Sequence, residues 1–437
     1  MKNKTFYLET YGCSSNKADS LIIEHILRSE GYEKVSIENA KWIIINTCAV
    51  KQQTENRMKH RFKELDELYG KDPQNHVIVA GCFPYISEEY IEVVREYLPS
   101  FSAIIGLDNI LRIPRILEKV RKEGTNLVIP SEGKIDKAQV LINYPSGNIT
   151  GIVPISEGCI GKCTYCCVKN ARGHLFCYEP DKIVKNVENQ LSQGIKQVYF
   201  TSQDCSIYEY RGTTLENLIT RISELDGQFF LRLGMINPRF LIKNLDQLLS
   251  IYQLDNIYQF LHIPIQSASD RILKRMKRPY LKSEIIEKIA ILRERLPDLT
   301  ISTDIICGFP GETEYDFYKT INFIKWLKPE ILNISKYTVR PGTKAKQMEQ
   351  VDSKVIKERS QRLSYVFRML LRDINQKWLG WEGKVLLLHH TKKTGQVFGR
   401  NYAYKNIFLY DYTGEVGRFV KAKVTNIDGF NLYADLL

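Results

Sequence analysis

SEGCIGKCTYCCVKNARG, residues 156–173, packs four cysteines into nine positions directly behind GIVPIS (151–156), an apolar run that reads as a β-strand. Five more such runs follow: QVYFTS (197–202), FFLRLGM (229–235), FLHIPIQ (260–266), LTISTDII (299–306) and EILNISKY (330–337). Helical patterns separate them. Six βα units fall short of the ~250 residues that a full eight-stranded parallel barrel takes, so the spacing predicts an incomplete barrel with its chemistry at the C-terminal strand ends.

Upstream, residues 1–125 also alternate. KTFYLET, WIIIN, HVIVAG and FSAIIG each precede a helical pattern, the first two helices being expected from about Asn16 to Ser29 and from about Thr54 to Leu68. This predicts a doubly wound α/β domain with a parallel sheet. Cys13, Cys48 and Cys82 each follow one of its first three strands, in ETYGC, NTCAV and AGC, one βα repeat apart. Ligands of such sheets collect beyond the carboxyl ends of the strands, so three thiols distant in sequence are expected at one edge. Three buried small apolar residues would be the alternative, since cysteine often serves as one.

A polar stretch, 126–148, reads as a linker. It separates the first domain from a core at 149–374. From 375 to 437 short strands (KVLLLHH, NIFLYDY, RFVKAKVTNI, FNLYADLL) predict a small all-β barrel, preceded by the basic amphipathic helix SKVIKERSQRLSYVFRMLLRDINQKW. The chain carries a formal charge of +12. Between Lys354 and Arg400 basic residues far outnumber Glu358, Asp373 and Glu382, which suits a polyanion or equally a solvated helix face.

The start, MKNKTFYLET, lacks an apolar secretory core, and no run reaches the roughly 18 apolar residues that span a bilayer. A cytoplasmic protein is expected, with its ten cysteines reduced and clusters of them favouring metal. Cys163 and Cys166 alone would suit a zinc knuckle or a redox pair, but a structural zinc wants four ligands and no second CxxC follows. Cys167 could replace Cys166 as a ligand; the spacing CxxxCxxC and Tyr165 favour Cys166. Cys177, Cys205 and Cys307 stand alone and read as structural, and His262 reads as a core histidine.

CxxxCxxC with an aromatic before the last cysteine, behind the first strand of a βα barrel, resembles the cluster loop of radical S-adenosylmethionine (SAM) enzymes. ETYGC, NTCAV, SEGC with CTYC, ARG, IPIQSAS, TDIICGFPGET and RPGTKA stand in the order of one branch, the methylthiotransferases, whose C-terminal module is called TRAM. The resemblance implies a radical SAM four-iron cluster on Cys159, Cys163 and Cys166 and an auxiliary four-iron cluster on Cys13, Cys48 and Cys82. It implies SAM contacts at Tyr165, Ser202, Gln203, Gln266, Ser267, Asp304 and Gly308. TSQDC departs from the family's more usual form, which leaves the loop around Asp204 in doubt.

LGMINPRF (233–240) and SEGCIGKCTYC are most similar to the archaeal and eukaryotic tRNA branch, which adds a methylthio group to carbon 2 of N6-threonylcarbamoyladenosine beside the anticodon. Met235, Asn237 and Pro238 mark that branch against those acting on isopentenyladenosine or a ribosomal protein. The implied partners are tRNA bearing the modified adenosine, a low-potential electron donor and a sulfur donor, with no membrane. Arg275, Lys277, Arg278, Lys392, Lys393 and Arg400 are the candidate RNA contacts. A non-catalytic iron-sulfur or zinc protein that binds RNA and senses oxygen would need the cysteines and the basic domain but no SAM pocket.

Overall fold

Trp42–Thr47 is buried along its whole length, as a strand covered on both faces must be. In the computed structural model, which describes residues 4–48, 50, 52–70, 72 and 74–437, it is the third strand of the first sheet. The elements there are β1 Thr5–Thr10, α1 Ser14–Ser29, β2 Glu33–Lys34, β3 Trp42–Thr47, α2 Gln52–Tyr69, β4 His76–Gly81, α3 Glu88–Tyr97, β5 Ala103–Ile105, α4 Ile113–Glu123 and β6 Leu127–Ile129. The strands are all parallel, in the order β2-β1-β3-β4-β5-β6. The order reverses at β1, so a switch point lies between β1 and β3.

Helix α2 buries Met58, Phe62 and Leu65, spaced for one helical face, against Ile43, Ile45, Val77 and Val79. The segment after α4 is more ordered than its polar composition predicts. Leu127–Ile129 adds an edge strand to β5, Asn109 Nδ2 donates to the Ile129 and Pro130 carbonyls, and Lys137 is buried. Short apolar strands and buried ion pairs leave little trace in local composition.

The chain divides into two compact units. One comprises Met1–Asn143, Pro154–Asn186 and Thr338–Lys346; the other comprises Tyr144–Val153, Val187–Tyr337 and Gln347–Leu437. The loop with the second group of cysteines thus belongs to the same unit as the first sheet.

The second unit holds two three-stranded sheets. One runs Phe230–Arg232, Gln197–Thr201, Thr150–Pro154, and the other runs Phe260–His262, Thr300–Cys307, Ile331–Lys336. Isolated parallel bridges, Leu231 to Ile257 and Met235 to His262, connect them. The helix Ser353–Gln376 follows, burying Ile356, Leu363, Phe367 and Leu371. A closed five-stranded barrel ends the chain, in the order Glu382–His390, Val397–Arg400, Asn406–Leu409, Asn431–Leu436, Phe419–Asp428. Val397–Arg400 is a short strand that the sequence pattern does not pick out. Among the described residues no helix is long and apolar enough to cross a membrane.

Candidate metal centres

Registers Thr10–Asn46 and Thr47–Gly81 bring the ends of β1, β3 and β4 level. Cys13 stands at the N-cap of α1, Cys48 follows β3 and Cys82 follows β4. Cys48 and Cys82 are buried and Cys13 is exposed. The thiols are close enough to oppose one another's ionisation. Burial pushes Cys82 up to about 12, and burial also raises Cys48, with Cys13 adding to both shifts. Metal binding here must therefore displace protons.

The close approach depends on glycine. Gly12 has φ +106°, and a Cβ on it would lie 2.7 Å from Cys48 Cβ and 2.9 Å from its Sγ. Asn16 Nδ2 fastens the start of α1 to the sheet, donating to the Tyr11 carbonyl at 2.8 Å and the Thr47 carbonyl at 2.7 Å.

Against this edge lies a buried guanidinium. Arg172 Nε donates to Cys82 Sγ at 3.3 Å, Nη1 to Glu157 Oε1 at 2.8 Å, and Nη2 to Asn16 Oδ1 and Asp19 Oδ2, both at 2.7 Å. Lys137 Nζ lies 3.0 Å from Asp19 and 3.0 Å from Glu157, and Lys134 lies 3.6 Å from Asp108 and 3.7 Å from Glu157. Burial opposes the charge on Glu157, but Lys137 and Arg172 outweigh it and hold the carboxyl below its ordinary range. Burial likewise opposes the charge on Lys137, and Asp19 and Glu157 outweigh it, so its ammonium titrates above its usual value. Sequence reading assigned no role to Asn16, Asp19, Lys137, Glu157 or Arg172; the position of ARG just after the cysteines was the available signal.

Glu157 leads directly into the second triad. Gly158, at φ +83°, has no room for a Cβ beside the His174 carbonyl. Cys159 N then donates to the Gly173 carbonyl at 3.2 Å, Gly161 N to Cys159 Sγ at 3.2 Å, and Cys166 N to the Cys163 carbonyl at 3.3 Å. A Cβ on Gly161 would lie 3.2 Å from Cys159 Sγ and 3.9 Å from Cys163 Sγ, so both sulfurs gather on one side of it. Burial raises the Cys166 thiol, and Cys163 adds to the effect. Tyr165 is half-buried beside it. Cys167 points elsewhere, into the apolar cluster with Phe83 and Ile86.

Among the described residues no three His, Cys, Asp or Glu side chains close around a single ion. A cubane asks for something else: one thiolate on each of three irons, the donor set that each triad offers in a reduced chain. The residues fit a four-iron cluster in donor chemistry at both places.

Of the expected SAM residues in the second unit, Ser202 and Gln203 follow the strand Gln197–Thr201, Gly308 follows Thr300–Cys307, and Asp304 lies within that strand. Gln266, at φ +72°, donates its N–H to the Asp304 carbonyl at 2.7 Å, and the Ser267 hydroxyl accepts from Ser269 N at 3.3 Å. Ser202 Oγ is 3.3 Å from Cys205 Sγ, in the loop that also carries Gln203. Asp304 accepts from Asn333 Nδ2 at 2.7 Å and lies 3.1 Å from His262 Nε2. His262 is thus half of a polar pair rather than a core residue. Gly308 N donates to Glu312 Oε2 at 2.8 Å; burial pushes that carboxyl up to about 7 although Arg359 stands 2.9 Å away.

Asn237 caps the helix Pro238–Lys243, with Pro238 in its first turn, and the Met235 carbonyl accepts from Cys205 N. Of the expected RNA contacts, Lys277, Lys392 and Lys393 are exposed and Arg275 is half-buried, its Nε donating to the Pro310 carbonyl. Arg400 stacks on the Tyr404 ring at 3.7 Å. Arg278 departs from expectation: it is buried, donating to Tyr280 Oη at 2.7 Å and to the Pro264 carbonyl at 2.6 Å, so it braces the fold instead of facing phosphate.

Comparison with known proteins matches residues 153–324 to the Radical SAM superfamily and residues 5–104 to a family described as "Uncharacterized protein family UPF0004". A Pyrococcus horikoshii protein, "Probable threonylcarbamoyladenosine tRNA methylthiotransferase", is 36% identical over 99% of this chain and 99% of its own length. The Homo sapiens "Threonylcarbamoyladenosine tRNA methylthiotransferase" is 31% identical over 96% of this chain and 71% of its own. Among solved structures, a radical S-adenosylmethionine methyltransferase from Kitasatospora setae aligns with TM-score 0.56 at 14% identity, over 78% of this chain and 75% of that one, a likeness of fold alone.

Proposed function

The chain belongs to the threonylcarbamoyladenosine tRNA methylthiotransferase family, and on that premise we propose that it adds a methylthio group to carbon 2 of N6-threonylcarbamoyladenosine in tRNA. Membership brings radical SAM chemistry, one four-iron cluster and S-adenosyl-L-methionine as co-substrate. We assign that cluster to Cys159, Cys163 and Cys166, and a second to Cys13, Cys48 and Cys82. When bound, the two groups supply reductive cleavage of SAM and the sulfur that is methylated and inserted.

The observation that carries this reading is the pair of three-thiol sets that lie in one compact unit. Burial shields Cys48 and Cys82 from water, while exposed Cys13 leaves that site open for a sulfur donor. Tyr165, Ser202, Gln203, Gln266, Ser267, Asp304 and Gly308 are assigned to SAM. Met235, Asn237 and Pro238 shape the path of the loop that meets the modified base. Lys277, Lys392, Lys393, Arg275 and Arg400 take tRNA phosphates, Arg400 from its place against the Tyr404 ring.

In functional terms, 1–125 serves the auxiliary cluster, 126–148 connects, 149–374 is a (β/α)6 radical SAM core and 375–437 is a TRAM module. A low-potential electron donor in the cytoplasm completes the cycle.

The test uses a host that makes threonylcarbamoyladenosine without its methylthio derivative. Nucleosides from its tRNA, measured by mass spectrometry, should contain the 2-methylthio form when this gene is present and lack it in Cys163→Ala and, separately, Cys48→Ala variants. Unchanged threonylcarbamoyladenosine with folded, iron-loaded protein would refute the substrate assignment and turn attention to isopentenyladenosine or a ribosomal protein.

A further inference from the structure

Arg172 is a costly residue to bury, and its surroundings show what it is arranged to do. Its guanidinium is 3% exposed, yet one of its N–H groups points at a sulfur. A fork this rigid usually spends itself on oxygens. The oxygens of Asn16, Asp19 and Glu157 occupy the other arms and fix the plane. Its own segment is held from both sides: Lys134 Nζ donates to the Arg172 carbonyl at 2.9 Å, and the next carbonyl, Gly173, accepts from Cys159 N at 3.2 Å.

One side chain therefore touches a ligand of the first triad and, through Glu157 and Gly173, the start of the second. We propose that Arg172 is a positioning residue that sets the first cluster against the second triad's loop and, by its N–H and positive charge on the Cys82 sulfur, raises that cluster's reduction potential. The proposal rests on the assignment of a cluster to Cys13, Cys48 and Cys82. Physically, a thiolate ligand that accepts a hydrogen bond from a cation holds less negative charge, which favours the more negative, reduced cluster.

The experiment uses full-length protein with Cys159, Cys163 and Cys166 replaced by alanine, so that only the first cluster is seen. Iron content and the electron paramagnetic resonance (EPR) signal of the dithionite-reduced protein establish whether that cluster is present; without it, the assignment under Proposed function fails and the arginine is not at issue. With the cluster loaded, protein labelled with ¹⁵N-arginine should show a ¹⁵N coupling to the reduced cluster in pulsed EPR. Absence of that coupling overturns the proposal even if every variant misfolds. Redox titration adds the second arm: Arg172→Gln should move the potential to more negative values, and Arg172→Lys, which keeps the charge but not the fork, should move it less. A potential unchanged in a folded, iron-loaded Arg172→Gln protein would also overturn it.

Discussion

Replacing Lys137 by methionine removes one cation from the buried network and nothing else of comparable size. Lys137 is 1% exposed, with Asp19 and Glu157 each 3.0 Å from Nζ. Because methionine nearly conserves the volume, the loss is electrostatic. Breaking a buried pair by removing one partner costs about 3–5 kcal/mol, since the orphaned charges stay buried. For a unit of roughly 150–250 residues each kcal/mol moves Tm by about 2–4 °C, so a drop of about 6–20 °C is expected for the N-terminal unit.

The pH dependence gives the sign. Glu157 has a folded pKa below the ordinary value, so its stabilising contribution is present above roughly pH 4.3 and is lost as pH falls through the lower folded value. Lys137 has a folded pKa above its ordinary value, so its contribution is complete below roughly pH 10.4. In Lys137→Met the Glu157 carboxylate loses a charge that held it ionised, and its protonation relieves the variant. The stability gap should stay level from about pH 7 to 10 and narrow as pH falls towards 4. Calorimetry of the full iron-free chain measures the gap, and hydrogen-exchange mass spectrometry of β1 and β3 peptides assigns it to the N-terminal unit. An unchanged melting temperature, or a gap that widens on acidification, would refute the reasoning.

Three further outcomes are expected. Gly12→Ala should lose the first cluster and keep the second, read by iron content and EPR, because the added Cβ would press on Cys48 at a φ that alanine avoids. Cys167→Ala should retain both clusters and cost about 1 kcal/mol of stability, whereas Cys166→Ala should lose the second cluster; equal iron loss in both would reassign the ligand. Affinity for tRNA, measured by filter binding, should fall about 10³-fold between ~50 and ~200 mM salt if six phosphates are contacted. The double variant Lys392→Ala, Lys393→Ala should flatten the salt slope by about 2.

The spacing of Cys159, Cys163 and Cys166 and the alternation of strands and helices were legible as short-range signals, whereas Cys13, Cys48 and Cys82 stood out only through their matching place after successive strands. WIIIN reads as a strand from its apolar run, and CxxxCxxC marks a candidate ligand set from its spacing alone. Arg278 shows the limit of such reading. In RILKRMKRPYLK it looks like one more exposed cation, yet the turn after Lys277, at φ +55°, swings it inward to Tyr280 and Pro264.

Residue type and local period by themselves carry the cysteine spacings and most of the alternation of strands and helices, but not the short strands Glu33–Lys34, Leu127–Ile129 and Val397–Arg400 or the order of strands in a sheet. Only the tertiary structure decided that Asp19, Lys137, Glu157 and Arg172 would meet. Asp19 and Arg172 are 153 positions apart and Lys137 and Asp19 118 apart. No local pattern encodes such a meeting. A buried charge is stable only where its partners are brought to it, and the fold that brings them is a property of the whole unit.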